Sequence, residues 1–220
     1  MTPHHLHALA AAWSLQAARQ TLADLARDEA AQIAAEHLEA PSVLRSPVYG
    51  SRHASGGHSD PTPRMIALAD RPERRNRWAE MRERLDGKLD WLADTLRLPY
   101  GLDDGIDRII ECTPAVSPGT AAALGRHLAD EERWVRDAIR QPRPTAPLVG
   151  VPCPHCGERQ LVVQTAGPVD AWTVVCATGR HCTGAGCRCG MPGAVEGVAH
   201  IWPRHVVLSP AAQTLTRGRP

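Results

Sequence analysis

Six of the seven cysteines fall in the last third of the chain: Cys153, Cys156, Cys176, Cys182, Cys187 and Cys189. The first two read CPHCG, and the others lie in CATGRHCTGAGCRCG. Two cysteines separated by two residues can reach one ion from a tight turn, and Gly157 permits that turn. Between the groups run QLVVQT (160–165), AGPVD (166–170) and AWTVVC (171–176). Two β-branched runs around a Gly-Pro turn predict a hairpin that carries Cys176 back beside the first pair. The pattern is knuckle, hairpin, knuckle: a zinc ribbon.

Tetrahedral Zn2+ takes four thiolate or imidazole donors. The expected set is Cys153, Cys156, Cys176 and Cys182. The five residues between Cys176 and Cys182 exceed the usual two to four, so Cys187, Cys189 and His181 stand as alternatives for the fourth place. Cys187 and Cys189 either join His181 or His200 in a second, partial site or remain free thiols. A closed four-donor site offers substrate no coordination position, so the zinc is expected to be structural. Such sites supply on the order of 10–16 kcal/mol of folding free energy in small zinc peptides. A disulfide reading is disfavoured because the N-terminus lacks a basic-then-apolar export signal. A redox reading of Cys153 and Cys156 lacks the strand–helix context that chemistry needs.

The elements that must position this module come before it. The chain has 220 residues, 43% of them hydrophobic, which allows one or two domains with a packed core. Only 4% are aromatic and none is Phe, so Leu, Val, Ile and Ala must fill that core. The sole lysine is Lys88 and the sole asparagine Asn76. This is the footprint of a GC-rich genome, and it weakens any inference drawn from arginine content alone. The formal net charge of +1 provides no global field for nucleic acid.

Residues 3–39 read as one long helix started by Thr2 and Pro3. Leu6, Leu9 and Trp13 form one stripe, and Leu15, Leu22 and Leu25 a second. Residues 41–62 read as a long loop of Pro, Gly and Ser carrying Arg45, Arg52, His53, His58 and Asp60. A short helix follows from Pro63 to Ala69. A stronger one spans 72–97, with Trp78, Met81, Leu85, Leu89, Leu92 and Leu96 on one face. A helix over 103–112 carries Asp103, Asp104 and Asp107 near its positive end, where carboxylates complement the dipole. Cys112 ends it as a small hydrophobe. Ser117-Pro118 starts a helix to Arg140, directing Leu124, Leu128, Val135 and Ile139 inward. Arg133, Arg136, Arg140 and Arg143 cluster at its negative end, where cations are favoured; a phosphate-facing role is the alternative.

The expected fold class is α+β: an all-α domain over 1–140, a proline-rich linker over 141–150, and a β-hairpin zinc ribbon over 151–210. A final extended stretch places Trp202 against the ribbon, and Ser209-Pro210 opens a last helical turn.

Over residues 150–204 the chain resembles a group of uncharacterised proteins from actinobacteria and their phages. These have a helical N-terminal region and a ribbon of the form CPxC, hairpin, CxNPxCxC, GCxC and H-[VI]-W-P. The matching residues are Cys153, Cys156, Cys176, Cys182, Cys187, Cys189 and His200 to Pro203. The chain departs from that form by an extra residue in CATGRHC and by lacking a cysteine two after Cys182. The resemblance implies a phage or prophage origin, and with it a cytoplasmic location in a bacterial host or association with a virion.

Residues 151–220 hold six arginines against three acids, a net of +3. Arg159, Arg180, Arg188 and Arg204 are the candidate phosphate contacts. The expected function is a non-enzymatic accessory protein that binds nucleic acid through its ribbon. The alternative is a structural or adaptor protein of a phage particle or other assembly, working through protein–protein contacts. Nucleophile elbows, phosphate loops and paired-acid motifs are absent, so an enzyme is not expected, nor a small-molecule substrate. No run of 18 apolar residues predicts a membrane span.

Overall fold

The computed structural model describes residues 1–39, 74–99, 102 and 104–209. The expected loop at 41–62, the helix from Pro63 to Ala69 and the start of a helix at Pro72 lie outside the described residues, as does everything from Pro210 onward. Helix α1 spans Pro3–Glu39, α2 Arg77–Thr95, α3 Gly105–Cys112 and α4 Pro118–Ile139. Four short strands follow: β1 Thr145–Leu148, β2 Leu161–Gln164, β3 Thr173–Cys176 and β4 Ile201–Pro203. A five-residue helix α5, Arg204–Leu208, comes last. The chain is α+β, a helical N-terminal region followed by a small antiparallel sheet.

The helix starts are set by short polar side chains. Asn76 Oδ1 accepts from the Ala79 N–H at 2.9 Å, Asp104 from Ile106 at 3.0 Å, and Ser117 from Thr120 at 3.1 Å. Each satisfies an amide that has no partner within its own helix. The Asn76 side chain also donates to the Ala26 carbonyl at 2.7 Å, tying the start of α2 to α1. Thr2 acts differently from the expected backbone cap: its hydroxyl bonds to His5 Nδ1 at 2.7 Å. Of the expected aspartates, Asp104 caps α3 and receives Arg19 at 2.5 Å, and Asp107 accepts from Gln16 at 2.6 Å. Both therefore fasten α3 to α1; Asp103 lies outside the described residues.

The helical core is built on α1. Leu15, Leu22, Leu85, Leu89, Ile106, Ile109, Leu124, Leu128 and Val135 are almost fully buried in it. Leu9, Trp13 and Leu25, expected in the stripes, are only half-buried. Alanines take much of the contact instead, and Ala8, Ala11, Ala12 and Ala18 are buried. Such small residues let α4 come close, and a methyl added at Gly125 would stand 3.4 Å from the Ala8 backbone.

One polar group sits inside this core. Glu132 is 2% exposed. Its carboxylate accepts from Arg136 Nε at 2.9 Å and Arg143 Nε at 2.8 Å, and also from the Ser14 hydroxyl. Arg136 further donates to the Ser14 carbonyl at 2.8 Å and the Pro142 carbonyl at 2.9 Å. Two of the four arginines expected to serve a helix terminus or a phosphate are thus engaged with one buried carboxylate. The cluster joins α1, α4 and the chain entering β1.

The sheet is a meander in the order β1-β2-β3-β4, every pair antiparallel. Residues 145–148, expected within a linker, form its first strand and pair with β2 in the register Leu148↔Leu161. Pro147 is tolerated there because β1 is an edge, where a missing N–H leaves no ladder bond broken. The sheet packs on the N-terminal turns of α1, where Ile201 is buried against Leu6 and Ala10. His7 Nε2 donates to the Ala199 carbonyl at 3.0 Å across the same contact. Trp13 lies against the turn between β2 and β3 at Gly167, which has a φ of +77° and a virtual Cβ 2.5 Å from the indole. Only glycine meets both demands.

Replacing Glu132 by Ala strands Arg136 in the core without its counter-charge. Loss of about 3–5 kcal/mol of stability is expected, measured by urea denaturation, against less than about 0.5 kcal/mol for an exposed control such as Asp137→Ala.

Candidate metal centres

The first knuckle forms in the connection between β1 and β2. Gly157 N–H donates to the Cys153 carbonyl at 2.9 Å, and Cys153 N–H to the Glu158 carbonyl at 2.8 Å. These bonds close the turn at Gly157, whose φ is +75°. The hairpin register sets Leu161 opposite Cys176, so the end of β3 returns to the knuckle. Sulfurs of Cys153, Cys156 and Cys176 lie within 4.8 Å of one another. Those of Cys156 and Cys176 are 3.8 Å apart, and the Thr178 hydroxyl is 3.1 Å from Cys176 Sγ. The three expected ligands from the knuckle and hairpin are brought together.

Cys182, the fourth expected ligand, is placed elsewhere. It gathers with Cys187, Cys189 and His200, whose donor atoms also lie within 4.8 Å of one another. The connection from β3 to β4 makes this second group. Cys182 N–H donates to the Val198 carbonyl at 2.8 Å, and Gly197 N–H to the Cys182 carbonyl at 2.9 Å, pinning the two ends of the connection together. Trp202 Nε1 donates to the Cys189 carbonyl at 3.0 Å. His200 closes the set from the residue before β4. Its Nδ1 faces the Arg180 carbonyl at 3.0 Å. A carbonyl only accepts, so Nδ1 carries a proton there, and an ion that displaces any proton from Nε2 would bind through that nitrogen. His200 Nε2 is 3.4 Å from Cys187 Sγ.

His181 joins neither group: it is exposed, and its backbone pairs with Ala199. His155, in the middle of the first knuckle, reaches the second group. Its Nδ1 is 3.3 Å from Cys187 Sγ, and its ring stacks on His200 at 3.9 Å. Sequence reasoning passed over His155, because the middle residues of a Cys-x-x-Cys turn are free to vary in type.

The thiols differ electrostatically. Burial pushes Cys153 up to about 12, and burial with its neighbouring cysteines pushes Cys189 up to about 11. Burial also works against Cys187, but hydrogen bonds from the Thr183 backbone and from His200 bring it down to about 4. Cys156 is lowered as well, burial being outweighed by hydrogen bonds from the Glu158 backbone and from Cys153, Cys176 and Thr178. Each group thus mixes a thiol that ionises readily with one that a cation must deprotonate.

The donor sets fit a metal. All seven are soft or borderline, the second group offers the four donors of a closed tetrahedral site, and the first offers three. All seven cysteines are free thiols. Either Cys/His cluster could hold an ion. Of the candidate phosphate contacts, Arg159, Arg180 and Arg188 are exposed, and Arg204 is half-buried with its guanidinium 5.4 Å from the Trp172 ring centroid. No helix among the described residues is long and apolar enough to cross a membrane. Comparison of the chain with family models, with curated proteins and with solved structures gives no match.

Replacing His155 by Ala removes no donor from either group but takes away a hydrogen bond to Cys187. A loss of about 10–100-fold in affinity of the second group for Co2+ is expected, read by competition with a chromophoric chelator. His155→Asn, which keeps an N–H near the same place, is expected to recover part of it.

Proposed function

We propose that the chain is a non-enzymatic zinc protein that binds nucleic acid through arginines fixed by its two metal-binding loops. The observation that carries this reading is where the exposed arginines stand in relation to the donors. Arg188 lies between Cys187 and Cys189, and the Arg180 carbonyl holds His200. Arg159 follows the first knuckle by three residues. An ion in each group would freeze these backbone segments and present the guanidiniums from a rigid base. Zinc is the metal that thiolate and imidazole donors in tetrahedral number suit best.

The contacts would be to backbone phosphates. The described part of the ribbon offers no helix of reading length, since α5 has five residues, so little base readout is expected. Phosphate contacts also explain how a chain of net charge +1 could bind: charge concentrated near one small module acts locally where the whole-chain field does not. A phage or prophage origin and a cytoplasmic setting are consistent with this role. Action as an assembly adaptor is the competing reading.

The test is binding of the zinc-loaded chain to short duplex and single-stranded DNA across a salt series. Three phosphate contacts predict a slope of log affinity against log salt near −2 to −3. Arg159→Ser, Arg180→Ser and Arg188→Ser are each expected to reduce that slope by about 1. No binding at low salt by folded, metal-loaded protein would reject the nucleic-acid reading. Chelation is expected to abolish binding and to disorder the sheet, followed as loss of near-ultraviolet circular dichroism from Trp172 and Trp202.

A further inference from the structure

The two groups differ in completeness. Cys182, Cys187, Cys189 and His200 make four donors, three of them buried, whereas Cys153, Cys156 and Cys176 make three. A tetrahedral ion on the first group needs one more ligand. Among the described residues no further Cys, His, Asp or Glu donor joins these three sulfurs within 4.8 Å. His155 is turned to Cys187 and stacked on His200. His181 is exposed and outside both groups. The Thr178 hydroxyl hydrogen-bonds Cys176 Sγ, and a neutral hydroxyl is not among the protein donors that zinc takes.

We infer that the Cys153–Cys156–Cys176 group is an open metal site, whose ion takes its fourth ligand as a thiolate from outside the chain. This rests on the metal-binding reading above. Access supports it: Cys156 is half-buried, while Gly157, Glu158, Ala177 and Gly179 around it are exposed. Beside the knuckle runs a surface groove of about 440 Å3, lined by Leu148, Val149, Arg159, Leu161 and Ala177 among others. Ala177 follows Cys176 directly, so the groove begins at the site. Its apolar wall and single guanidinium suit the chain atoms flanking a cysteine.

Three thiolates already select a soft ion, and such an ion prefers sulfur over oxygen for its remaining position. In the exchange the incoming thiol gives its proton to solvent. A metal–sulfur bond replaces a metal–water bond, and no electron is transferred. The thiol comes either from a cysteine of another protein or from a low-molecular-weight compound.

The experiment uses the full chain loaded with Co2+, whose near-ultraviolet absorption counts bound thiolates. Two Co2+ per chain are expected. Adding 2-mercaptoethanol, or a short peptide with one cysteine, should raise the absorption of the first site by roughly one third, as three thiolates become four. The rise should persist in Cys189→Ser, which disables the second group, and vanish in Cys176→Ser. X-ray absorption on the unaltered chain provides a second count of sulfur donors, independent of how the variants fold. Response to the peptide at much lower concentration than to 2-mercaptoethanol identifies a protein cysteine as the source; equal response identifies a small thiol. Two bound Co2+ with no response to millimolar thiol, or an imidazole nitrogen on the first site before any addition, would overturn the inference while leaving metal binding intact. Failure to bind Co2+ at all would overturn both.

Discussion

Crowding of sulfur is the constraint around which the C-terminal part of this protein is arranged. Six cysteine sulfurs and one imidazole nitrogen converge in two groups, each with its donors within 4.8 Å. Thiolates at that spacing repel one another, and a thiol buried as Cys153 is cannot ionise alone. A divalent cation resolves both problems at once, since it neutralises the charge and replaces the lost solvation. The strands around them are three or four residues long and bury few large side chains: Leu161, Val163, Val174, Ile201 and Trp202. A sheet that small gains little from packing alone. The ligand loops are thus the walls of the core as well as the binding sites, with Cys153, Cys176, Cys182 and Cys189 buried among Leu161, Val163, Val174 and Trp202.

The helical part contributes a platform. Helix α1 packs against α4 through alanine and leucine, and its first turns carry the residues that reach the sheet. His7 holds the carbonyl of Ala199, next to His200, so a donor of the second group is steadied from the opposite end of the chain. His5 works the same way inside the helical part, its Nε2 2.9 Å from the Val116 carbonyl. The buried Glu132 completes the platform where the chain leaves α4, because Arg143 reaches it from the residues just before β1. A charge cluster of this kind adds little net stability over apolar packing. Its geometric effect is to fix the direction in which β1 starts.

What the sequence made legible was what is encoded locally. The Cys153–Cys156 turn, the hairpin and the return of Cys176 follow from spacing and β-branched runs within about 25 residues. The helices were readable from periodicity and from caps at Ser117 and Pro118, although Asn76 rather than Pro72 begins α2 among the described residues. Long-range pairing was the part that escaped. The position of Cys182 depends on the 177–200 connection folding back so that Val198 receives its N–H, and no short-range pattern states that. The close spacing of Cys187 and Cys189, with His200 beside Trp202, carried the available signal for a second group. Thr145 to Leu148 read as linker because Pro142, Pro144 and Pro147 argue against a strand, and only an edge position excuses Pro147. Glu132 went unremarked, because a glutamate flanked by Asp130, Glu131 and Arg133 carries no local sign of burial.

His155 changes how the two groups relate. It belongs by sequence to the first knuckle, yet its ring touches a sulfur and an imidazole of the second group. An ion bound by Cys153 and Cys156 therefore fixes the residue that orients Cys187, and an ion on Cys187 and His200 holds His155 against the knuckle in return. Coupling of this kind is reciprocal by thermodynamic necessity, whichever group fills first. If the first group exchanges its fourth ligand, the change in turn geometry has a direct route through His155 to the loop that carries Arg188, and through His200 to the Arg180 carbonyl. The geometry thus links a three-thiol group, a four-donor group and the two arginines beside it through contacts of 3.0–3.9 Å.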